Sequence, residues 1–373
     1  MTDEKNRVCI STWYCSVNYG TGLQALALRR FLENLGYTCF FLEDKRAGKR
    51  KKTPVSHRKI SFSVVGIAMS KLRNKKNFDK RRELIRKYDC EHNNVFTIKA
   101  DDDITELNNA ADIFIAGGDQ LWNPYVLEEK HLFTMVDPAK KMLSFGTSVG
   151  VTEIPDELRS TYRTYLSRFQ AISVREKQSV QALEFLQKEV TEVIDPTLLF
   201  DANGWRFLTD QAKLESKYLS EPYIICYFIG ERKSYWNYVK MIQKETGYRV
   251  LVIPINYAGY RNNYEKLTEV TMREFLALIQ NAAIVCTDSF HAALFSVQYQ
   301  KEFYILKRFK DQSKQSQNGR LENMLSRYGL SNRLIQDESC FKREKIKDYQ
   351  QILKKIESER ENSIRWLMQA LEQ

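Results

Sequence analysis

Between residues 8 and 42 the chain passes from an apolar strand pattern to a helical one and back to a strand pattern. Few folds accommodate that succession. Val8–Tyr14 reads as a buried strand. A polar, glycine-containing loop follows, then a helix from about Thr21 to Leu35, with Leu23, Ala27, Phe31 and Leu35 on one face. Gly36 is a C-terminal stop, since a residue without Cβ enters the left-handed region without a clash. Tyr37–Leu42 is the second strand. A strand–helix–strand crossover makes its two strands parallel, and a parallel sheet is covered by helices on both faces.

The alternation continues. Ile113–Ala116, Met142–Phe145, Ala171–Val174 and Val190–Ile194 read as strands, with helices at Leu158–Phe169 and Ser179–Leu186. Asp195–Trp205, carrying Pro196 and Gly204, reads as a connector between domains. A second set follows: strands at Tyr223–Ile229, Arg249–Ile253, Ile284–Thr287 and Glu302–Leu306, with helices at Trp236–Thr246, Met272–Gln280 and Phe290–Tyr299. Lys345–Leu371 is a long charged helix. The 373 residues exceed one ordinary core. The expected fold class is therefore α/β: two Rossmann-like domains with a central cleft, resembling the architecture of the B-type glycosyltransferases. The expected divisions are residues 1–200 with a basic insertion at about 45–88, residues 201–344, and a C-terminal helix over 345–373. Ligands in such sheets sit beyond the carboxyl ends of the strands.

The formal net charge of +11 suits an anionic partner: nucleic acid, a phosphorylated substrate or an acidic membrane face. No recognised nucleic-acid module is present, and such a binder would leave the motifs below unexplained. The basic run Lys45–Lys59, followed by the apolar Phe62–Met69 and more Lys and Arg, admits two readings. One is a peripheral contact with the membrane or a lipid-linked acceptor; the other is a solvated loop before a core helix. Phe62–Met69 is far short of the roughly 20 residues that span a bilayer. The charged start of the chain has no apolar signal region, so a cytoplasmic location is expected, with a peripheral position at the inner face of the membrane as its variant. Seven scattered cysteines, without a Cys-x-x-Cys pair, predict reduced thiols and neither a disulfide scaffold nor a metal site.

Five loops after predicted strands carry the candidate chemistry. Asp288-Ser289-Phe290-His291 follows a strand and opens a helix, where Asp288 or Ser289 can cap and the backbone N–H groups can face a ligand. His291 there suits acid–base work; a histidine satisfied within the core is the plain alternative. Arg175 ends a strand, where its fork suits a carboxylate or phosphate, or a local pair with Glu176. Gly117-Gly118 allows close backbone approach to a ligand, and Asp119, Gln120 and Asn123 beside it make a simple turn less adequate. Asn18-Tyr19-Gly20-Thr21-Gly22, with Ala25, matches G-x-G-x-x-A, and Glu43 stands where a ribose-binding acid belongs. The loop Cys15–Tyr19 is, however, longer than a dinucleotide turn. Lys307, Arg308 and Lys310, then Gly319-Arg320, are either a solvated charge run or cations beside His291.

Together these segments resemble the polysaccharide pyruvyl transferases. The resemblance lies in Asn18-Tyr19-Gly20 through Leu23-Gln24, Gly118-Asp119-Gln120 with Trp122-Asn123, and Ser144-Phe145-Gly146. It continues through Ser173-Val174-Arg175-Glu176, Asp195-Pro196-Thr197-Leu198-Leu199, Asp288-Ser289-Phe290-His291 and Gly319-Arg320 before Tyr328-Gly329-Leu330. Two positions depart from the residues usual in the family, small for small: Ala292 stands where Gly often follows the histidine, and Gly117-Gly118 where Gly-Ser is common. The resemblance implies transfer of pyruvate from phosphoenolpyruvate to two hydroxyls of a sugar in a cell-surface polysaccharide precursor, such as a lipid-linked oligosaccharide. The product is a cyclic ketal, with phosphoenolpyruvate as donor and no cofactor or metal required. His291 and Arg175 are the catalytic candidates. Asn18, Tyr19, Gly20, Gly118, Asp119, Gln120, Asn123, Ser289, Lys307, Lys310 and Arg320 are the substrate-binding candidates. A nucleotide-sugar glycosyltransferase of similar fold and an NAD-dependent oxidoreductase are the alternatives.

Overall fold

The computed structural model describes residues 6–46, 75–91, 93–101, 103–308, 318–335, 343–346 and 348–372, with only the backbone of Asn318. In the first half, β1 (Arg7–Ser11), β2 (Thr38–Asp44), β3 (Val95–Ile98), β4 (Ile113–Gly117) and β5 (Lys141–Phe145) form one sheet in the order β3-β2-β1-β4-β5. β6 (Ser173–Val174) and β7 (Thr191–Glu192) pair beside β5, joined to its edge by bridges at Leu143–Ala171 and Thr147–Val174. In the second half, β8 (Tyr223–Tyr227), β9 (Arg249–Val252), β10 (Glu265–Lys266), β11 (Ile284–Thr287), β12 (Glu302–Leu306) and β13 (Leu334–Ile335) form the order β10-β9-β8-β11-β12-β13. All these described pairings are parallel. Both sheets reverse direction at their first strand, β1 or β8, and a crevice opens there at the carboxyl ends.

The helices of the first half are α1 (Tyr19–Asn34), α2 (75–85, continued by a wider turn at Arg86–Cys90), α3 (Asp103–Ala110), α4 (Asp156–Leu166) and α5 (Lys177–Ala182). Those that follow are α6 (Arg206–Thr209), α7 (Lys217–Ser220), α8 (Ser234–Thr246), α9 (Tyr257–Arg261), α10 (Met272–Asn281), α11 (Phe290–Gln298), α12 (Asn318–Arg327) and α13 (Tyr349–Glu372). The apolar faces of α1, α10 and α11 share one core across both halves, while α3, α4 and α5 pack in a second cluster and α8 in a third. Leu23 and Leu28 of α1 belong to the same buried cluster as Phe275 of α10 and Leu294 of α11. Gly36 stops α1 with φ +94°, as its position predicts. α10 begins with a reciprocal cap: Thr271 accepts from Arg273 N, while Glu274 accepts from Thr271 N at 3.0 Å. α13 returns to the first half, where Lys141 Nζ donates to Leu371 O at 2.7 Å and Ile194 N to Ser363 Oγ at 3.0 Å.

The structure departs from the sequence expectations at three places. β1 ends at Ser11, freeing Thr12, Trp13 and Tyr14 from the predicted strand for the cleft wall. The unanticipated β3 and α3 follow the insertion, and β10, α9, α12 and β13 were also missed; most are too short to show a period. The segment Asp195–Trp205, read as a connector, is well packed, which does not bear on that reading. Trp205 is fully buried and its indole donates to Thr197 O at 3.1 Å, so Trp205→Ala costs about 3–5 kcal/mol. Finally, Cys15 and Cys90 form a disulfide with Cα atoms 5.6 Å apart, against the expectation of reduced thiols. The two residues are 75 apart in sequence, and only the return of the chain through α2 past the β1 exit brings them together. Phe62–Met69 and most of the basic run lie outside the described residues.

Candidate active site

Thr287 at the end of β11 donates through Oγ1 to Tyr227 O at 2.6 Å and receives Ser289 N at 3.0 Å, which turns the chain sharply into α11. Ser289 is the N-cap, accepting from Ala292 N. Asp288 points away from the helix. Its carboxylate accepts Ile229 N and Gly230 N at 2.7 Å each, with Tyr235 Oη at 3.1 Å and Arg308 Nε at 3.3 Å. One carboxylate thus fixes the loops after β8, β11 and β12.

His291, in the first turn of α11, is nearly buried. Its Nε2 lies 3.5 Å from Asp195 Oδ2 and 3.3 Å from Arg175 Nη1. Asp195 also accepts Arg175 Nη1 at 2.6 Å, Thr197 N at 2.9 Å and Thr197 Oγ1 at 2.6 Å. Burial pushes its carboxyl up, but the charges of His291 and Arg175 and the bonds from His291 and Thr197 outweigh this and hold it well below the usual carboxylate range.

Arg175 is not an open fork. Its side chain is fully buried, paired with Asp195 and lying 3.4 Å from Glu176 Oε2 and 3.5 Å from Asp119 Oδ1. Burial opposes its charge, and these three carboxylates more than restore it. The guanidinium also sits 4.7 Å from the ring centroid of Phe290. The planar fork that the sequence reading aims at a ligand anion is thus already taken up by Asp195, Glu176 and Asp119.

Asp119 follows β4 in the left-handed region, with φ +36°, a conformation that Asp tolerates better than most side chains. Its carboxylate accepts Thr21 Oγ1 at 2.6 Å and Gln120 N at 2.9 Å. Burial raises its pKa, while Arg175, His291 and Arg320 pull it lower overall. Arg320 is itself brought down to about 10 by burial and by Arg175, and so stays charged at neutral pH.

Arg175 and Asp195 line a cavity of about 440 Å³, while His291, Asp119 and Arg320 border a neighbouring one of about 510 Å³ between the halves. Of the residues expected from sequence, Asn18, Asp119, Gln120, Ser289, His291 and Arg320 line it. Gly20 lies beneath His291, where a Cβ would meet the imidazole at 2.4 Å. Gly118, at φ +68°, lies against Gln24. Tyr19 is buried between the halves, its Oη donating to Val270 O at 2.7 Å. Asn123 Nδ2 donates to Gln120 Oε1 at 2.8 Å and so holds a wall residue. Lys307 turns to Glu322, 3.3 Å away, and its neighbour Arg308 faces the cavity. Lys310 lies outside the described residues. Sequence reasoning left out Asp195 and Arg308 as site residues; Asp195 was legible only within its Asp-Pro-Thr-Leu-Leu motif, and Arg308 only as part of a charge run. Gly22, read under the dinucleotide pattern, instead meets Met272 of α10, with a built Cβ 2.0 Å from its Cε. Both glycines lie inside α1, where they admit side chains of the second half.

Among solved structures, the UDP-GlcNAc 2-epimerase of Neisseria meningitidis bound to UDP-GlcNAc is similar over 98% of this chain and 99% of its own, at 10% identity and a TM-score of 0.49. A glycosyltransferase of Streptomyces nogalater is similar over 98% of this chain and 100% of its own, at 9% identity and a TM-score of 0.46. No curated protein matches the chain in sequence. The family model for polysaccharide pyruvyl transferase matches residues 18–308, a span that holds His291, Arg175, Asp195 and Asp119. The chain belongs to the polysaccharide pyruvyl transferase family.

Proposed function

We propose that this chain transfers pyruvate from phosphoenolpyruvate to two hydroxyls of a sugar in a cell-surface polysaccharide precursor, forming a cyclic ketal and releasing phosphate. The observation that carries the reading is His291, fixed by Asp195 and Arg175, on a cavity that also receives Arg308 and Arg320. A donor with a carboxylate and a phosphate needs cations. Arg308, Arg320 and the backbone N–H groups at the start of α11 supply positive potential on one wall.

The reaction needs one proton on the methylene carbon of the donor and the removal of two hydroxyl protons. In the proposed sequence His291 gives the first proton, turning the methylene into the methyl of the product. The first hydroxyl then attacks the neighbouring carbon and returns its proton to His291. The carbon–oxygen bond to phosphate breaks, the second hydroxyl adds at the same carbon, and its proton leaves with the phosphate. An imidazole can both give and take a proton near neutrality. The chemistry calls in principle for no redox cofactor or metal. The proposed setting is the cytoplasm or the inner membrane face, where a lipid-linked acceptor is presented; none of the described helices is long and apolar enough to cross a membrane.

Incubation with phosphoenolpyruvate and lipid-linked oligosaccharides, followed by mass spectrometry, tests the reaction through the added pyruvate ketal. Phosphoenolpyruvate is expected to raise the melting temperature, since a ligand bound only by the native state stabilises it. His291→Ala should lower turnover by about 10²–10⁴-fold with the fold and donor binding kept. A melting shift with NAD or a sugar nucleotide, and none with phosphoenolpyruvate, would favour one of the two alternatives.

A further inference from the structure

The two walls of the cavity differ in chemistry. The second half contributes the cations Arg308 and Arg320, together with His291 and Ser289. The first half contributes the loops after β1 and β4 and the carboxyl end of β2, which bring Trp13, Tyr14, Gln120 and Glu43 to the same space. Lys130 is the cation on this first wall, and its Nζ lies 2.9 Å from Glu128. At about 510 Å³ the cavity also exceeds what a three-carbon acid phosphate can fill, and falls in the range of pockets that hold larger ligands.

Resting on pyruvyl transfer as the reaction, we propose that Trp13, Tyr14 and Glu43 form the binding subsite for the acceptor sugar. Each is held by a group outside the cavity. The Tyr14 ring stacks on Phe41, with centroids 4.8 Å apart and planes at 8°. The Trp13 ring meets His131 edge-on at 5.8 Å. Glu43 Oε2 accepts Thr97 Oγ1 at 3.1 Å and lies 2.8 Å from Lys45 Nζ. The Cys15–Cys90 disulfide further ties down the loop that carries both aromatic residues.

A sugar offers an apolar C–H face and a rim of hydroxyl donors. Aromatic side chains take the first, and an ionised carboxylate, which can only accept, takes the second. The anionic donor is left to the arginines of the facing wall, since the Glu43 carboxylate offers it no hydrogen-bond donor. Glu43 attracts notice in the sequence as an acid placed for a ribose diol, and a sugar acceptor presents the same group to it. The two hydroxyls to be bridged would then lie between Glu43 and His291, which border one cavity.

Saturation-transfer NMR on the full chain, with phosphoenolpyruvate present, tests this with the methyl glycosides of galactose, glucose, mannose and N-acetylmannosamine as probes. At least one glycoside should show transfer, and Trp13→Ala and Glu43→Gln should each weaken its affinity about tenfold. Neither variant should change the melting shift given by phosphoenolpyruvate. An intact donor shift with undiminished glycoside signals in both variants, or with none in the parent chain, overturns the subsite alone. Uridine diphosphate giving a stronger signal than every glycoside, lost in Trp13→Ala, overturns the sugar in favour of a nucleotide base. Absence of a donor shift in the parent chain removes the pyruvyl-transfer reading, and the subsite with it.

Discussion

A Cβ built on Gly20 lies 2.4 Å from both Cβ and Nδ1 of His291. The first turn of α1 and the first turn of α11 therefore meet at the imidazole, and glycine is the residue that leaves it room. Gly20→Ala must move His291 or the helix, and His291 is also held from its other side by Asp195 and Arg175. The expected result is turnover reduced by about 10²-fold or more, since a displacement of about 1 Å has that effect on a reacting group. Donor affinity, measured by calorimetry, should change less.

Arg175 and Arg320 should separate under mutation. Arg175→Ala leaves three buried carboxylates without their shared cation, so chemical denaturation should show a loss of about 3–5 kcal/mol. Arg320 sits where Arg175 opposes its charge, so its removal also relieves a repulsion. Arg320→Ala should therefore keep most of the stability and lose about tenfold or more in phosphoenolpyruvate affinity, as read by calorimetry. Normal donor affinity in Arg320→Ala would shift the anion site to Arg308.

Asp89 accepts the backbone N–H of Met272 at 3.2 Å and joins α2 to the start of α10. Burial pushes its carboxyl up to about 7, more than the Met272 bond and Arg273 bring it down. The unfolded group titrates near about 3.9. As pH rises between these values, the unfolded chain releases the proton before the folded one does, so this group's contribution to stability is lost toward pH 7 and above. Asp89→Asn keeps an acceptor without the charge. The variant should gain in melting temperature relative to the parent at about pH 8.5 and gain little at about pH 4. Equal gains at both pH values would show that Asp89 titrates normally.

The Cys15–Cys90 bond closes a loop of 75 residues in sequence separation. By loop entropy, its removal should destabilise the fold by up to about 4 kcal/mol. Peptide mapping without reductant should recover the two cysteines in one linked species. Reduction should lower the melting temperature of the parent chain and leave that of Cys15→Ser/Cys90→Ser unchanged.

The sequence by itself determined the local elements and their sense. β11 and β12 have the bounds their apolar runs predict, α1 stops at Gly36, and α11 begins where Ser289 can cap it. These features are local: the period of burial, a capping hydroxyl and a residue without Cβ act within a few positions of the chain. Parallel pairing follows from the crossover connections. His291 was likewise legible as a candidate, because it stands at a strand-to-helix switch. Its partners were not: Asp195 and Arg175 lie 96 and 116 residues before it, a separation over which sequence pattern carries no distance. The tertiary structure alone decided that Arg175 faces three carboxylates, that Arg308 rather than Lys307 turns to the cavity, and that Gly20 and Gly22 admit side chains of the second half. It also decided which two of the scattered cysteines meet. For the two glycines the cause is the close approach of the two halves; for the arginines and the cysteines it is the meeting of sequence-distant segments within one half, and both arise only once the sheets have formed.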